Sequence, residues 1–166
     1  MRTLPAPAIA LVLVSLVAAC ASYDGRGLVP GQSSAAQVEA LMGRPAEKIT
    51  NAAGETVWFY PHAPGGRDTF AVRMRPDGTL IAIEQRLTKA NVARVVPDRS
   101  TTQEVRELFG PPSLIWRASL KQRDVWDYPM LVDNRLFNFY VQFSDDGIVR
   151  EAYLLHDPIY DAGDKS

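Results

Sequence analysis

Cysteine is nearly absent: the 166-residue chain has one, Cys20. No intramolecular disulfide can form, so packing and hydrogen bonds alone must hold the fold. Histidine is almost as scarce. His62 lies in the loop-forming run Pro61-His62-Ala63-Pro64-Gly65-Gly66, and His156 lies just past the last expected strand. Neither has a second ligand at metal spacing or a nucleophile motif nearby, so both read as solvated loop histidines and no metal or cofactor is expected. No run of one charge interrupts 18 basic and 19 acidic side chains, which leaves no electrostatic footprint for nucleic acid or lipid headgroups. A glycine-rich phosphate loop following a strand is missing too, since Pro64-Gly65-Gly66 precedes one instead. Among the carboxylates, Asp145-Asp146 belongs to a turn, and Asp124 and Asp127 bracket a strand. With no catalytic constellation in the sequence, the expectation is that the chain is not an enzyme.

Long apolar runs are also missing. Ala8 to Ala19, interrupted only by Ser15, falls short of the roughly 20 residues a transmembrane helix needs. With Arg2 as its positive flank, the run reads as the core of a signal peptide over residues 1–19. It ends in Leu16-Val17-Ala18-Ala19-Cys20, which resembles the bacterial lipobox. That resemblance implies cleavage before Cys20 and a diacylglycerol and N-acyl modification on it, the only modification group expected. Several acyl chains anchor stably, because each buried CH₂ contributes ~0.8 kcal/mol and a single chain is marginal. Ala21 follows, where an inner-membrane retention signal would place Asp, so the expected location is the periplasmic leaflet of the outer membrane. Residues 20–27 then form the lipidated N-terminus and a short tether.

The chain is internally duplicated. Val29-Pro30, Val38, Leu41, Gly43 and Pro45 return as Val96-Pro97, Val105, Leu108, Gly110 and Pro112, 67 positions on. Trp58, Tyr60 and Pro61 return as Trp126, Tyr128 and Pro129 at an offset of 68, and Asp77-Gly78 as Asp146-Gly147 at 69. Offsets that grow by single residues are what loop insertions between conserved elements produce. Residues 28–87 form the first repeat, 88–156 the second, and 157–166 a loose polar tail. A unit of about 60 residues buries only ~60% of its surface, so the two are expected to share a core.

Each repeat opens with a capping box, Ser34-Ala35-Ala36-Gln37 and Thr101-Thr102-Gln103-Glu104. The apolar stripes Val38/Leu41/Met42 and Val105/Leu108/Phe109 follow, and Gly43 and Gly110 stand at αL C-caps. Strands are expected at Val57 to Tyr60 and Val125 to Tyr128, ended by Pro61 and Pro129. Alternating strands follow over Phe70–Met74 and Phe137–Phe143, and returning strands over Thr79–Gln85 and Ile148–Leu154. The Asp-Gly pairs suit type I′ hairpin turns. Short first strands are expected at Glu47 to Thr50 and Leu114 to Arg117. Leu87 to Val96 reads as a leading helix that the first repeat lacks. The fold class is α+β, a tandem repeat of a helix or helix-pair unit on a three- to four-stranded antiparallel sheet.

A lipobox, Val-Pro-Gly-Gln-Ser-Ser-x₃-Val-x₂-Leu-Met-Gly-x-Pro, Trp-Phe-Tyr-Pro and a late Asp-Gly turn together resemble the BamE (SmpA/OmlA) family of small outer-membrane lipoproteins. The resemblance covers roughly Leu28 to Leu154, and its motifs are mostly fold signals. It implies a helix pair on an antiparallel sheet and a place beside the β-barrel assembly machine. Family members usually carry one such unit and a longer extended segment before it. Two units in tandem are also similar in architecture to the β-lactamase inhibitor protein, which binds an enzyme on its sheet surface.

Trp58, Tyr60, Trp126, Tyr128, Phe137, Phe139 and Phe143 recur at strand spacing and are assigned to the core. Arg73, Arg75, Asn138, Tyr140 and Gln142 alternate out of phase with them. If the two sheets join edge to edge, these five form one broad polar surface suited to protein partners; otherwise they are a plain solvated face. The expected role is a lipid-anchored accessory or scaffold in outer-membrane protein assembly or envelope integrity, acting by protein binding. The alternative is an inhibitor or sensor that captures a periplasmic enzyme or ligand on the sheet face.

Overall fold

The computed structural model describes residues 24–51, 53–62 and 66–157. Residues 1–19, expected to be a signal peptide, Cys20 and the tail from Pro158 lie outside them. Two four-stranded antiparallel sheets form the body of the fold, with short helices between. Sheet one is β1 (Glu47–Thr50), β2 (Thr56–Pro61), β3 (Thr69–Met74) and β4 (Leu80–Gln85), in that order; sheet two is β5 (Leu114–Ala118), β6 (Arg123–Val132), β7 (Arg135–Phe143) and β8 (Val149–His156), likewise in order. Both sheets are meanders whose consecutive strands are joined by short turns, so their pairing is local.

Helices α1 (Ala35–Met42) and α3 (Thr102–Phe109) begin with complete capping boxes. The Ser34 N–H donates to Gln37 Oε1 at 2.8 Å and the Thr101 N–H to Glu104 Oε2 at 2.8 Å, while the two hydroxyls accept in return. Each helix is then fixed to its own sheet's last hairpin. Ala35 N–H donates to Gly78 O and Thr102 N–H to Gly147 O, both at 2.9 Å. An eight-residue helix is too short to stand alone in water, so these ties and the apolar face carry it. Val38 and Met42 pack with Trp58, Tyr60, Val72, Met74 and Leu80. Val105, Leu108 and Phe109 pack with Trp126, Tyr128, Phe139, Val141 and Phe143.

The anticipated single core is instead two clusters, one per sheet. They are joined across the other face of sheet one, which alternates away from Trp58 and Tyr60. There Phe59 and Ala71, register partners on β2 and β3, are both 0% exposed. What covers them comes from the second repeat. Arg106 of α3 donates through Nε to both oxygens of Glu47, at 2.7 and 3.0 Å. A Cβ added at Gly110 would lie 2.5 Å from Phe59 Cδ1. Helix α3 therefore has a sheet on either side, sheet two against its apolar stripe and sheet one against Arg106 and its C-terminus.

Several details depart from the sequence expectations. Gly43 (φ 81, ψ −165) and Gly110 (φ 80, ψ −162) end the helices outside the αL well, in a region that glycine alone enters cheaply. The Asp-Gly hairpins are not type I′, because only their glycines have positive φ, 80 at Gly78 and 76 at Gly147. In the first, Gly78 N–H donates to Arg75 O at 2.9 Å around Pro76-Asp77, a type I turn with proline at its second position, and the strand register shifts just before it, between Arg73 and Met74. The φ signature of a I′ turn occurs at Asp133-Asn134 (φ 49 and 62), between the paired Val132 and Arg135. Pro129 does not end its strand: β6 runs on to Val132, because β5 pairs only as far as Asp127 and no ladder hydrogen bond is owed beyond it. Asp124 and Asp127 accordingly lie within β6 rather than bracketing it. The leading helix shrinks to one turn, α2 (Lys89–Val92), capped by Thr88. His156 is the last residue of β8, its ring edge-on to Phe137 at 5.2 Å, and is not a solvated loop residue. Within the span 20–27 expected as a tether, Gly25 is buried against Ile83 and Met42.

Candidate functional site: the open face of sheet two

The residues facing away from α3 on sheet two are the counterparts of those buried beneath α3 on sheet one. In sheet one the row across the strands reads Glu47, Phe59, Ala71, Glu84. In sheet two the matching row reads Leu114, Asp127, Tyr140, Tyr153. The first row is buried at its centre beneath another element; in the second, Leu114 is exposed and Asp127, Tyr140 and Tyr153 are half-buried. A carboxylate replaces the buried phenylalanine and a tyrosine replaces the buried alanine, as an uncovered face requires.

This open face is aromatic and already ordered by hydrogen bonds. Trp116 of β5 meets Tyr140 edge-on at 5.6 Å and 81°, and Tyr140 lies 5.7 Å from Tyr153. Asn138 Nδ2 donates to Tyr140 Oη at 3.0 Å, and Gln142 Nε2 donates to Tyr153 Oη at 3.0 Å. The first repeat contributes as well. Arg67, from the loop after β2, reaches over the free stretch of β6 and donates to Asn138 Oδ1 at 2.9 Å and Asp157 Oδ2 at 3.1 Å. Below the rings, Asp127 Oδ1 and Gln142 Oε1 are buried acceptors without a hydrogen-bond donor. Such atoms carry an unmet desolvation cost.

Burial pushes the Asp127 carboxyl up to about 6, with Arg67 opposing the shift and the Asp157 charge adding to it. The folded value lies above the ordinary 3.8, so the folded state holds this proton more tightly than the unfolded chain. Asp127 therefore lowers stability as pH rises through the window from about 4 to about 6, and its effect is constant above that. Discounted for partial exposure, the loss is on the order of 1–2 kcal/mol. Asp127→Asn should raise the urea midpoint at pH 7.5 and leave it unchanged near pH 4. Equal gains at both pH values would show that the ionised carboxylate is not the cause.

Of the residues singled out from the sequence, Asn138, Tyr140 and Gln142 come together on this face. Arg73 and Arg75 do not join them. The sheets are separate, and Arg73 lies on sheet one between Glu55 and Glu84, 3.5 Å from each, while Arg75 opens the β3–β4 turn. Trp116, Asp127, Tyr153 and Arg67 complete the site and were not singled out. The signal for Asp127 and Tyr153 was the position-by-position difference between the repeats: Asp127 stands where Phe59 stands, and Tyr153 where Glu84 stands. Among the described residues no three His, Cys, Asp or Glu side chains cluster to hold a metal ion, and no helix is long and apolar enough to cross a membrane.

No protein-family model matches the chain, and no curated protein does. Among solved structures, it is similar to a DUF4309 family protein (YjgB) from Bacillus subtilis, at 16% identity over 80% of this chain and 84% of that one, with a TM-score of 0.32. A likeness that loose leaves the chain's own geometry as the basis for any reading of its role.

Proposed function

We propose that the protein is a lipid-anchored envelope component that acts by binding another protein on the open face of sheet two, and that it has no catalytic activity. One observation carries this reading: the face that repeat one buries under its neighbour is more open in repeat two, where it is lined by Trp116, Tyr140 and Tyr153. Tyrosine and tryptophan supply large contact area at low entropic cost, and both are enriched where interfaces concentrate their binding energy. The lipobox-like Leu16-Val17-Ala18-Ala19-Cys20 supports a lipid on Cys20, and so a station at the periplasmic leaflet of the outer membrane. Tethering there raises the effective concentration for weak contacts with membrane-bound partners.

The resemblance of the sequence motifs to the BamE-like lipoproteins supports a more particular role, as an accessory or scaffold in outer-membrane protein assembly or envelope integrity. Under this reading, barrel-assembly subunits co-purify with a tagged copy in mild detergent. A clean isolation without them sinks the assignment. Recovery of one soluble periplasmic hydrolase instead supports the second reading, an inhibitor or sensor; the tandem arrangement, with an aromatic sheet face left open, is what favours it. The anchor has its own test. Cys20→Ser should move the chain out of the detergent-soluble membrane fraction or leave it unprocessed, and unchanged fractionation would rule out lipidation.

A further inference from the structure

Strand β5 is an edge strand without the usual protection. Its inner side pairs with β6 and, among the described residues, no strand pairs with its outer side. Leu114, Ile115 and Trp116 are 57%, 51% and 38% exposed, and Leu120 in the turn beyond is fully exposed. Edge strands ordinarily carry charges that discourage pairing. The equivalent edge of sheet one does: β1 begins Glu47-Lys48, with Glu47 bonded to Arg106 and Lys48 to Glu39 at 3.0 Å. The second repeat has exchanged that protection for large apolar side chains on both faces of the strand.

We propose that β5 is a self-association edge, pairing antiparallel with β5 of a second copy of this chain about a twofold axis at Trp116. Outward-facing backbone N–H and C=O groups call for an extended strand, and the side chains of β5 suit β5 itself. The twofold sets Trp116 against Trp116, Leu114 against Ala118 (large against small) and Ile115 against Arg117. It also carries Leu120 to Pro112, so the exposed apolar side chains of this edge cover one another. Arg117 meets no uncompensated like charge, because Asp124 at 3.0 Å and Asp145 at 2.7 Å already hold its guanidinium. A stack of repeats in the manner of the intramolecular junction is disfavoured. The counterpart of Arg106 is Glu39, and it would approach the Asp127 face with the same charge. The twofold arrangement closes on itself and gives a dimer with one continuous eight-strand sheet rather than a fibre.

Five paired residues form an interface smaller than stable dimers use, so the equilibrium is weak and must be followed over a wide concentration range. The full chain in mild detergent should sediment as one copy at low concentration and approach two copies as concentration rises toward about 1 mM. Ile115→Asp turns a carboxylate toward the Arg117/Asp124/Asp145 group of the other copy, which has an acidic excess, and should weaken association at least about tenfold. Near-UV circular dichroism reports whether that variant keeps its fold. Register is read separately by oxidation. Trp116→Cys should form a covalent dimer well above the wild-type background, whereas the more exposed Leu120→Cys should not. One-copy mass at every concentration would overturn the proposal. So would undiminished association in folded Ile115→Asp, or cross-linking at Leu120→Cys equal to that at Trp116→Cys. Ile115 points away from the Tyr140 face, so failure here leaves the partner-binding reading standing, and the reverse holds too.

Discussion

Phe59→Asp should leave the chain unfolded at room temperature, while Asp127→Phe, the reciprocal change at the matching position, should be tolerated. Phe59 is 0% exposed although it lies on the side of β2 facing away from its own helix. Truncating a buried phenylalanine costs about 3–5 kcal/mol, and Phe59→Ala should fall in that range. A carboxylate there adds the cost of an unpaired buried charge, against a total stability of only about 5–15 kcal/mol for a domain of this size. Asp127 occupies the same place in the fold but is only half-buried. Asp127→Ala should therefore be neutral or slightly stabilising at neutral pH. Urea unfolding of the Ala pair measures the contrast directly. Similar costs at the two positions would mean that the second repeat does not cover the first.

The next largest effect isolates the same junction from its other side. Gly110→Ala should destabilise the chain by about 3–5 kcal/mol, and Gly43→Ala by about 1–3 kcal/mol. The two glycines have nearly the same backbone angles, so strain in the substituted backbone is common to both. Their surroundings differ. A Cβ at Gly43 meets nothing within 4 Å, whereas one at Gly110 lies 2.5 Å from Phe59 Cδ1 and 2.8 Å from Cγ. The excess at Gly110 is the cost of forcing that close-packed contact apart. Combining Gly110→Ala with Phe59→Ala should recover part of it, a coupling expected only of residues in contact. Strict additivity in that double mutant would place the two residues apart.

The duplication made most of the fold readable in advance, because its signals are local. Capping boxes, helix-stopping glycines and alternating strands each act within a few residues of themselves, and all recur where the pattern puts them. The departures came from relations between distant segments. Pro129 reads as a strand end because proline cannot join a ladder, yet β5 is too short to require a bond from it. The Asp-Gly pairs read as I′ turns because of their composition, but Pro76 sets a type I turn at one of them and Asp133-Asn134 takes the I′ role. Core assignment from alternation placed Trp58, Tyr60, Trp126 and Tyr128 correctly. It could not place Phe59, whose burial depends on a helix some fifty residues away in sequence.

The candidate site was half legible for the same reason. Asn138, Tyr140 and Gln142 follow from the period of β7. Arg73 has the same period, but in a sheet whose matching face is partly covered and where Glu55 and Glu84 pair with it; Arg75 falls past the strand's end, in the turn. The more informative signal was the set of positions where the repeats disagree. Phe59 against Asp127 and Ala71 against Tyr140 mark one face as covered and the other as open, and an open aromatic face on a duplicated module is where a partner has room to bind.

Affinity isolation of the tagged full chain in mild detergent tests that central claim most directly, with Tyr140→Ala on the open face compared against Arg73→Ala on sheet one. Both variants should remain folded. The account predicts that the wild type and Arg73→Ala recover the same partner, and that Tyr140→Ala recovers at least about tenfold less, as expected for an aromatic at the centre of an interface. Equal recovery by Tyr140→Ala, or loss confined to Arg73→Ala, would contradict it.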